Sequence, residues 1–74
     1  MKVAVQLFGP LAEQAGRSRI EVTTAGTTVR DVVAALGFPV DRSVRFAVNT
    51  DYAEPTAAVR EGDVVSLIPP VGGG

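Results

Sequence analysis

Apolar and polar residues alternate along residues 2–8, with Val3, Val5 and Leu7 on one side and Ala4, Gln6 and Phe8 on the other. A period of two belongs to a pleated strand with one strongly apolar face. Gly9-Pro10 ends it. Pro10 suits the first position of a short helix over residues 11–15, because its fixed φ is already helical and its missing N–H costs nothing there. Gly16 supplies the stop, and Glu13 complements the helix dipole. Alternation returns in Arg19–Thr23, where Ile20 and Val22 share a face opposite charged residues. The period then lengthens. Val29, Val32, Val33 and Leu36 fall at i, i+3, i+4 and i+7, one apolar stripe of a main helix. Thr28 and Asp31 have capping-box spacing, and Gly37 followed by Pro39 closes the segment. Residues 44–49 read as a third strand with Val44, Phe46 and Val48 inward. A turn over residues 49–51 leads to a short return strand at Tyr52-Ala53, interrupted by Pro55. Glu61-Gly62-Asp63 forms a turn before a last strand, Val64–Ile68.

This order of strands and helices fits an α+β roll, with a central helix crossing one face of a mixed sheet of four to five strands. A right-handed crossover through that helix sets the first and last strands side by side and parallel. Both then end at the same edge, at Phe8 and Ile68. If Val3, Val5, Leu7 and Leu67 face the helix, alternation turns Phe8 and Ile68 away from it, and Arg45 joins them. The expectation is an apolar contact patch on the uncovered face, at the root of the segment after Ile68.

That segment is Pro69-Pro70-Val71-Gly72-Gly73-Gly74. Two prolines favour an extended, stiff stem, and three glycines give a slim tip without side chains. Such a tip suits a narrow slot where backbone lies against backbone.

Composition limits the chemistry. With 74 residues the chain has room for one domain, read as residues 1–74 with 69–74 as a protruding tail. It has no cysteine and no histidine, so thiol nucleophiles, thiolate metal sites and the commonest general base are all missing. A net charge of −1 without basic runs argues against a nucleic-acid platform. No apolar run is long enough for a bilayer, so no membrane partner is expected and the chain reads as a cytoplasmic domain. No metal site and no bound cofactor are expected. Of the polar candidates, Glu13 and Asp63 are explained by their helix-start and turn positions.

Several segments together resemble the ubiquitin-like β-grasp sulphur carriers, and among them the small subunit of molybdopterin synthase. Residues 8–16, Phe8-Gly9-Pro10-Leu11-Ala12-Glu13-Gln14-Ala15-Gly16, are similar to that family's Phe-Ala-x-Leu-Arg-Glu-x-x-Gly, matching at Phe8, Leu11, Glu13 and Gly16. Gly9 departs from the pattern, and Ala12 stands where the family usually has Arg. Ala47-Val48-Asn49 resembles its Val-Asn strand end. Residues 59–65 resemble the Leu-x-Asp-Gly-Asp-x-Val leading into the last strand. The terminal Pro69-Pro70-Val71-Gly72-Gly73-Gly74 matches Pro-Pro-Val-x-Gly-Gly.

The resemblance implies a carrier. A ubiquitin-activating-type enzyme would use ATP to adenylate Gly74, a sulphur donor protein would convert it to a thiocarboxylate, and the tail would insert into a large synthase subunit. There two charged carriers in turn would convert cyclic pyranopterin monophosphate into the molybdopterin dithiolene. A heterotetramer with two large subunits is implied. Gly74 then carries the reacting carbonyl. Pro69, Pro70, Val71, Gly72 and Gly73 thread the tail, and Phe8, Leu67 and Ile68 dock partners. Arg45, which alternation sets on the same face as Phe8 and Ile68, reads either as a partner-binding contact for an acidic group or as an ordinary solvated charge. The second reading is favoured, because exposed charge pairs contribute little. The residues agree with this division of labour: the glycines end without a following helix or lysine, unlike a phosphate-binding loop, so ATP belongs to the partner. Rival readings are a carrier for thiamine, cysteine or tRNA thiolation, a protein modifier joined to lysines through Gly74, and a passive binding module.

Overall fold

The alternating segments pair into one sheet, and the two helical segments cover one of its faces. The computed structural model describes residues 1–70. In order, these form β1 (Lys2–Leu7), α1 (Pro10–Ala15), β2 (Arg19–Thr23), α2 (Val29–Ala34), β3 (Arg45–Val48), β4 (Asp51–Ala53) and β5 (Val64–Ile68). The strand order is β2-β1-β5-β3-β4. β1 runs parallel to β5 and antiparallel to β2, and β3 is antiparallel to both β5 and β4. The expected parallel central pair is therefore present, in a sheet of five strands, the upper of the two numbers expected.

Register assigns every residue to a face. Val5 pairs with Ile20 and Val65, Leu7 with Leu67, and Leu67 with Phe46. These apolar rows lie under the helices. Val3, Val5, Leu7, Val65 and Leu67 are at most 1% exposed, as are Val29 and Val32 from α2. Burying a side chain of this size contributes about 1.5–3 kcal/mol.

Both helices owe their ends to local chemistry. In α1, Pro10 sits at the first turn, and Gly16, at φ 82°, closes the helix with its N–H donating to Ala12 O and Glu13 O. In α2, Thr28 Oγ1 accepts from Asp31 N, while Asp31 Oδ2 accepts from Thr27 N, Thr28 N and Thr28 Oγ1. Asp therefore closes the box as a Glu would, and also holds the preceding residue. The apolar stripe predicts a helix as far as Leu36, but α2 ends at Ala34. Ala35 N donates to Val32 O as well as Asp31 O, and Leu36 N donates to Val33 O. These tighter i to i+3 turns end the α-helix early. Gly37, at φ 87°, then redirects the chain. The two helices are equally long, at six residues each; α2 is the principal one only in burying two valines completely where α1 buries Leu11.

Residues 54–59 lock onto the start of α2. Val29 N donates to Ala57 O, Arg30 N to Pro55 O and Val59 N to Thr27 O. This carries Val59, a residue not anticipated as core, to 4% exposure.

Candidate functional site

The face of the sheet away from the helices is a candidate docking surface, and its layout follows from strand register. One row crosses all five strands as Arg19, Gln6, Ser66, Ala47 and Tyr52. The row beyond it, nearest the end of β5, sets Ile68 directly opposite Arg45. One further step along β1 brings Phe8 to the flank of Ile68. Phe8 is 43% exposed, Ile68 half-buried and Arg45 exposed. Phe8, Ile68 and Arg45 thus fall at one end of the uncovered face by register, although Phe8 lies just past the end of β1.

Leu67 has to be removed from the docking group. It is 0% exposed and belongs to the core beneath the helices, because its pairing with Leu7 and Phe46 fixes it on the covered face. A docked partner would meet its neighbours and never its side chain. In exchange, the face presents Tyr52, the most exposed large apolar side chain among the described residues, at 78%. Its sequence signal is weak: one aromatic in a three-residue strand.

Pro69 and Pro70 leave β5 between two shallow grooves. One is lined by Pro10, Leu11, Gln14, Pro39, Val40 and Val44. The other is lined by Arg45, Tyr52 and Ile68 of the docking face, by Arg42, and by Phe46, whose register assigns it to the covered face. A Cβ added to Gly9 would stand 3.8 Å from Pro69 Cγ, an ordinary contact, so the φ of 53° rather than crowding favours glycine there. The stem therefore departs past the Phe8–Gly9 end of the sheet. The residues assigned to threading and reaction beyond it, Val71, Gly72, Gly73 and Gly74, lie outside the described residues.

The polar residues that look most like a catalytic group have structural duties. Asn49 adopts φ 57°, accepts from Val64 N at its side-chain oxygen and donates from Nδ2 to Asp63. Asp63 Oδ2 accepts from Arg60 N at 2.9 Å. The backbone bond from Arg60, then the Asn49 amide, hold the Asp63 carboxyl below its ordinary pKa. Asp41 is lowered mainly by the Ser43 hydroxyl, and Asp31 mainly by the Thr28 hydroxyl. All three stabilise loop or helix starts. Glu13 stands exposed in the first turn of α1. Among the described residues no His, Cys, Asp or Glu cluster suits a metal ion, and no helix is long and apolar enough to cross a membrane.

Comparison with known proteins accounts for the whole domain. The family model described as the ThiS family matches residues 5–74. SAMP1 of Haloferax volcanii, a small archaeal modifier protein, is 28% identical and superposes with a TM-score of 0.85 over 100% of both chains. A Pyrococcus furiosus protein described as a putative molybdopterin converting factor, subunit 1, is 29% identical with a TM-score of 0.76, covering 96% of this chain and 99% of that one. Helicobacter pylori supplies a complex of subunits 1 and 2 of molybdopterin-converting factor, in which the matching chain is 25% identical with a TM-score of 0.71 over 100% of both chains. The mixed five-stranded sheet with its two helices is accordingly the ubiquitin-like β-grasp.

Proposed function

This chain belongs to the ThiS family of ubiquitin-like sulphur carriers, and from that premise we propose that it is the sulphur-carrying small subunit of a molybdopterin synthase. The observation carrying this reading is the combination on one edge of the sheet: a Pro69-Pro70 stem leaving β5 beside Phe8, Ile68 and Arg45. The face docks a partner while the tail reaches into that partner's active site. Prolines in the stem lower the entropy lost on threading, and Gly72, Gly73 and Gly74 place no Cβ in the slot.

A carboxylate is a poor acyl donor, so the Gly74 carboxyl must first acquire a good leaving group. An adenylating enzyme of the ubiquitin-activating type supplies ATP and the groups that stabilise phosphate charge. Sulphur replaces AMP to give the thiocarboxylate, which the chain then presents inside the large synthase subunit to cyclic pyranopterin monophosphate. Likeness to the subunit 1 proteins of Pyrococcus and Helicobacter supports this pathway, and the Helicobacter complex supports a two-subunit partnership.

Likeness to SAMP1 supports a second reading, a modifier joined to other proteins through Gly74. Intact-mass analysis separates the two. After incubation with ATP, the activating enzyme and a sulphur donor, the expected mass gain is one oxygen exchanged for sulphur at Gly74, discharged when the large subunit and the cyclic pterin are added. Isopeptide adducts on cell proteins without that exchange would overturn the synthase reading in favour of the modifier.

A further inference from the structure

The chain is nearly free of amines. Its seven basic residues are six arginines and a single lysine, Lys2. An activated acyl group reacts with an amine or a thiol; guanidinium remains protonated and does not compete. Cysteine and histidine are absent. The Met1 nitrogen is part-buried and donates to Thr24 O at 2.7 Å, so it is less open to a second chain than a side-chain amine. Lys2 is thus the one exposed side-chain amine, and its position is fixed. Its N–H donates to Glu61 Oε1 at 3.0 Å and its carbonyl accepts from Gly62 N at 3.2 Å, pinning the first residue of β1. The side chain shares the uncovered face with that of Thr23 across the strand pair.

Topology sets this amine far from its own tail. Leu7 pairs with Leu67 in parallel register, so the level of Ile68 lies six residue steps from Lys2, about 20 Å at ~3.3 Å per residue. Pro69 lies beside Gly9, at the end of the sheet away from Lys2. The four residues after Pro70 span at most ~14 Å when fully extended, and the four-carbon lysine stem adds about 6 Å. That combined reach of about 20 Å only equals the separation at the level of Ile68, and it is counted from Pro70, two residues further out, so a chain does not reach its own Lys2.

We propose that Lys2 is an acyl-acceptor site for the activated tail of a second copy of this chain, so that activated carriers join into unbranched, head-to-tail polymers. The step rests on the carrier reading, since it uses the same Gly74 acyl-adenylate. Deprotonated Lys2 Nζ attacks the Gly74 carbonyl carbon. The C–N bond forms, the C–O bond to phosphate breaks, AMP leaves with the electron pair, and the proton passes to solvent. Each copy has one donor end and one acceptor at the opposite end of the sheet. A heterologous linkage of this kind does not close on itself as an isologous dimer does.

The test incubates the full chain with ATP and the ubiquitin-activating-type enzyme of the same cell, without a sulphur donor, following pyrophosphate release alongside denaturing electrophoresis. The expected result is a ladder resistant to denaturant, with Gly74 linked to Lys2 by peptide mass spectrometry. Lys2→Arg should adenylate at the wild-type rate and lose the ladder, and when mixed with wild type it should shorten the ladder by capping growing ends. Adenylation with no ladder, or a ladder persisting in Lys2→Arg, overturns the acceptor site and leaves the carrier reading intact. Absence of adenylation overturns both.

Discussion

Asp31 shows how much one residue can organise, and how unevenly the sequence discloses it. Its box with Thr28 is legible because both partners lie within four residues of each other. That Gly26 must lack a side chain is not legible: a Cβ there would collide with the Asp31 side chain, a conflict visible only once the loop folds over the helix start. The Asn49–Asp63 contact escapes sequence reasoning for the same reason, since it joins residues 14 apart. Hydrogen bonds lower the pKa of Asp31, Asp41 and Asp63, and the sign of the stability effect follows. A carboxylate depressed by folding stabilises the protein above its unfolded pKa, and that contribution is lost as pH falls through the folded one. With no histidine to titrate, thermal melts should give a constant midpoint between about pH 5 and 7, declining below about pH 4. Asp31→Asn should flatten the acid limb. A midpoint that drifts between pH 5 and 7, or an acid limb unchanged in Asp31→Asn, would contradict this account.

Strand β5 makes the division between core and surface within one element. Alternation alone assigns Val65 and Leu67 to the covered face and Ile68 to the open one, and register with β1 and β3 agrees. Family likeness alone draws Leu67 toward the docking group, whereas the two-residue strand period already argues against it. Helix length is less legible, because the apolar stripe persists through Leu36 while the backbone tightens after Ala34. Leu67→Ala should destabilise the fold by about 2–5 kcal/mol through lost burial and a residual cavity. Ile68→Ala, half-buried at the stem root, should cost less stability and weaken binding to the large subunit by about 1–3 kcal/mol if it is an anchor. Denaturant titration and calorimetry on the same pair of variants read both quantities. Equal stability losses, with binding untouched in Ile68→Ala, would remove Ile68 from the interface.

At the scale of the whole molecule, the β-grasp separates what must be stable from what must react. The core lies between sheet and helices, the proposed docking patch lies on the opposite face, and the stem departs from the end of the sheet where β1 and β5 finish together. Among the described residues, none beyond Ile68 contributes a strand pairing to the sheet. Folding stability and charging are therefore expected to respond independently to changes at the end of the chain. In the proposed mechanism the adenylating enzyme acts on the Gly74 carboxylate itself, and one added residue moves that carboxylate about 3.5 Å beyond the position at which the partner's nucleotide is held. Misplacing a reacting group by even about 1 Å costs on the order of a hundredfold, so a chain extended by one alanine after Gly74 should lose detectable charging while its thermal midpoint stays that of the wild type. The alanine also adds a Cβ where the slot accepts only backbone. A chain lengthened by a fourth glycine displaces the carboxylate equally without adding a Cβ, and should likewise lose charging if displacement is the cause. Full charging of the alanine-extended chain, measured by intact mass after incubation with ATP, the activating enzyme and the sulphur donor, would place the reaction somewhere other than the Gly74 carboxylate.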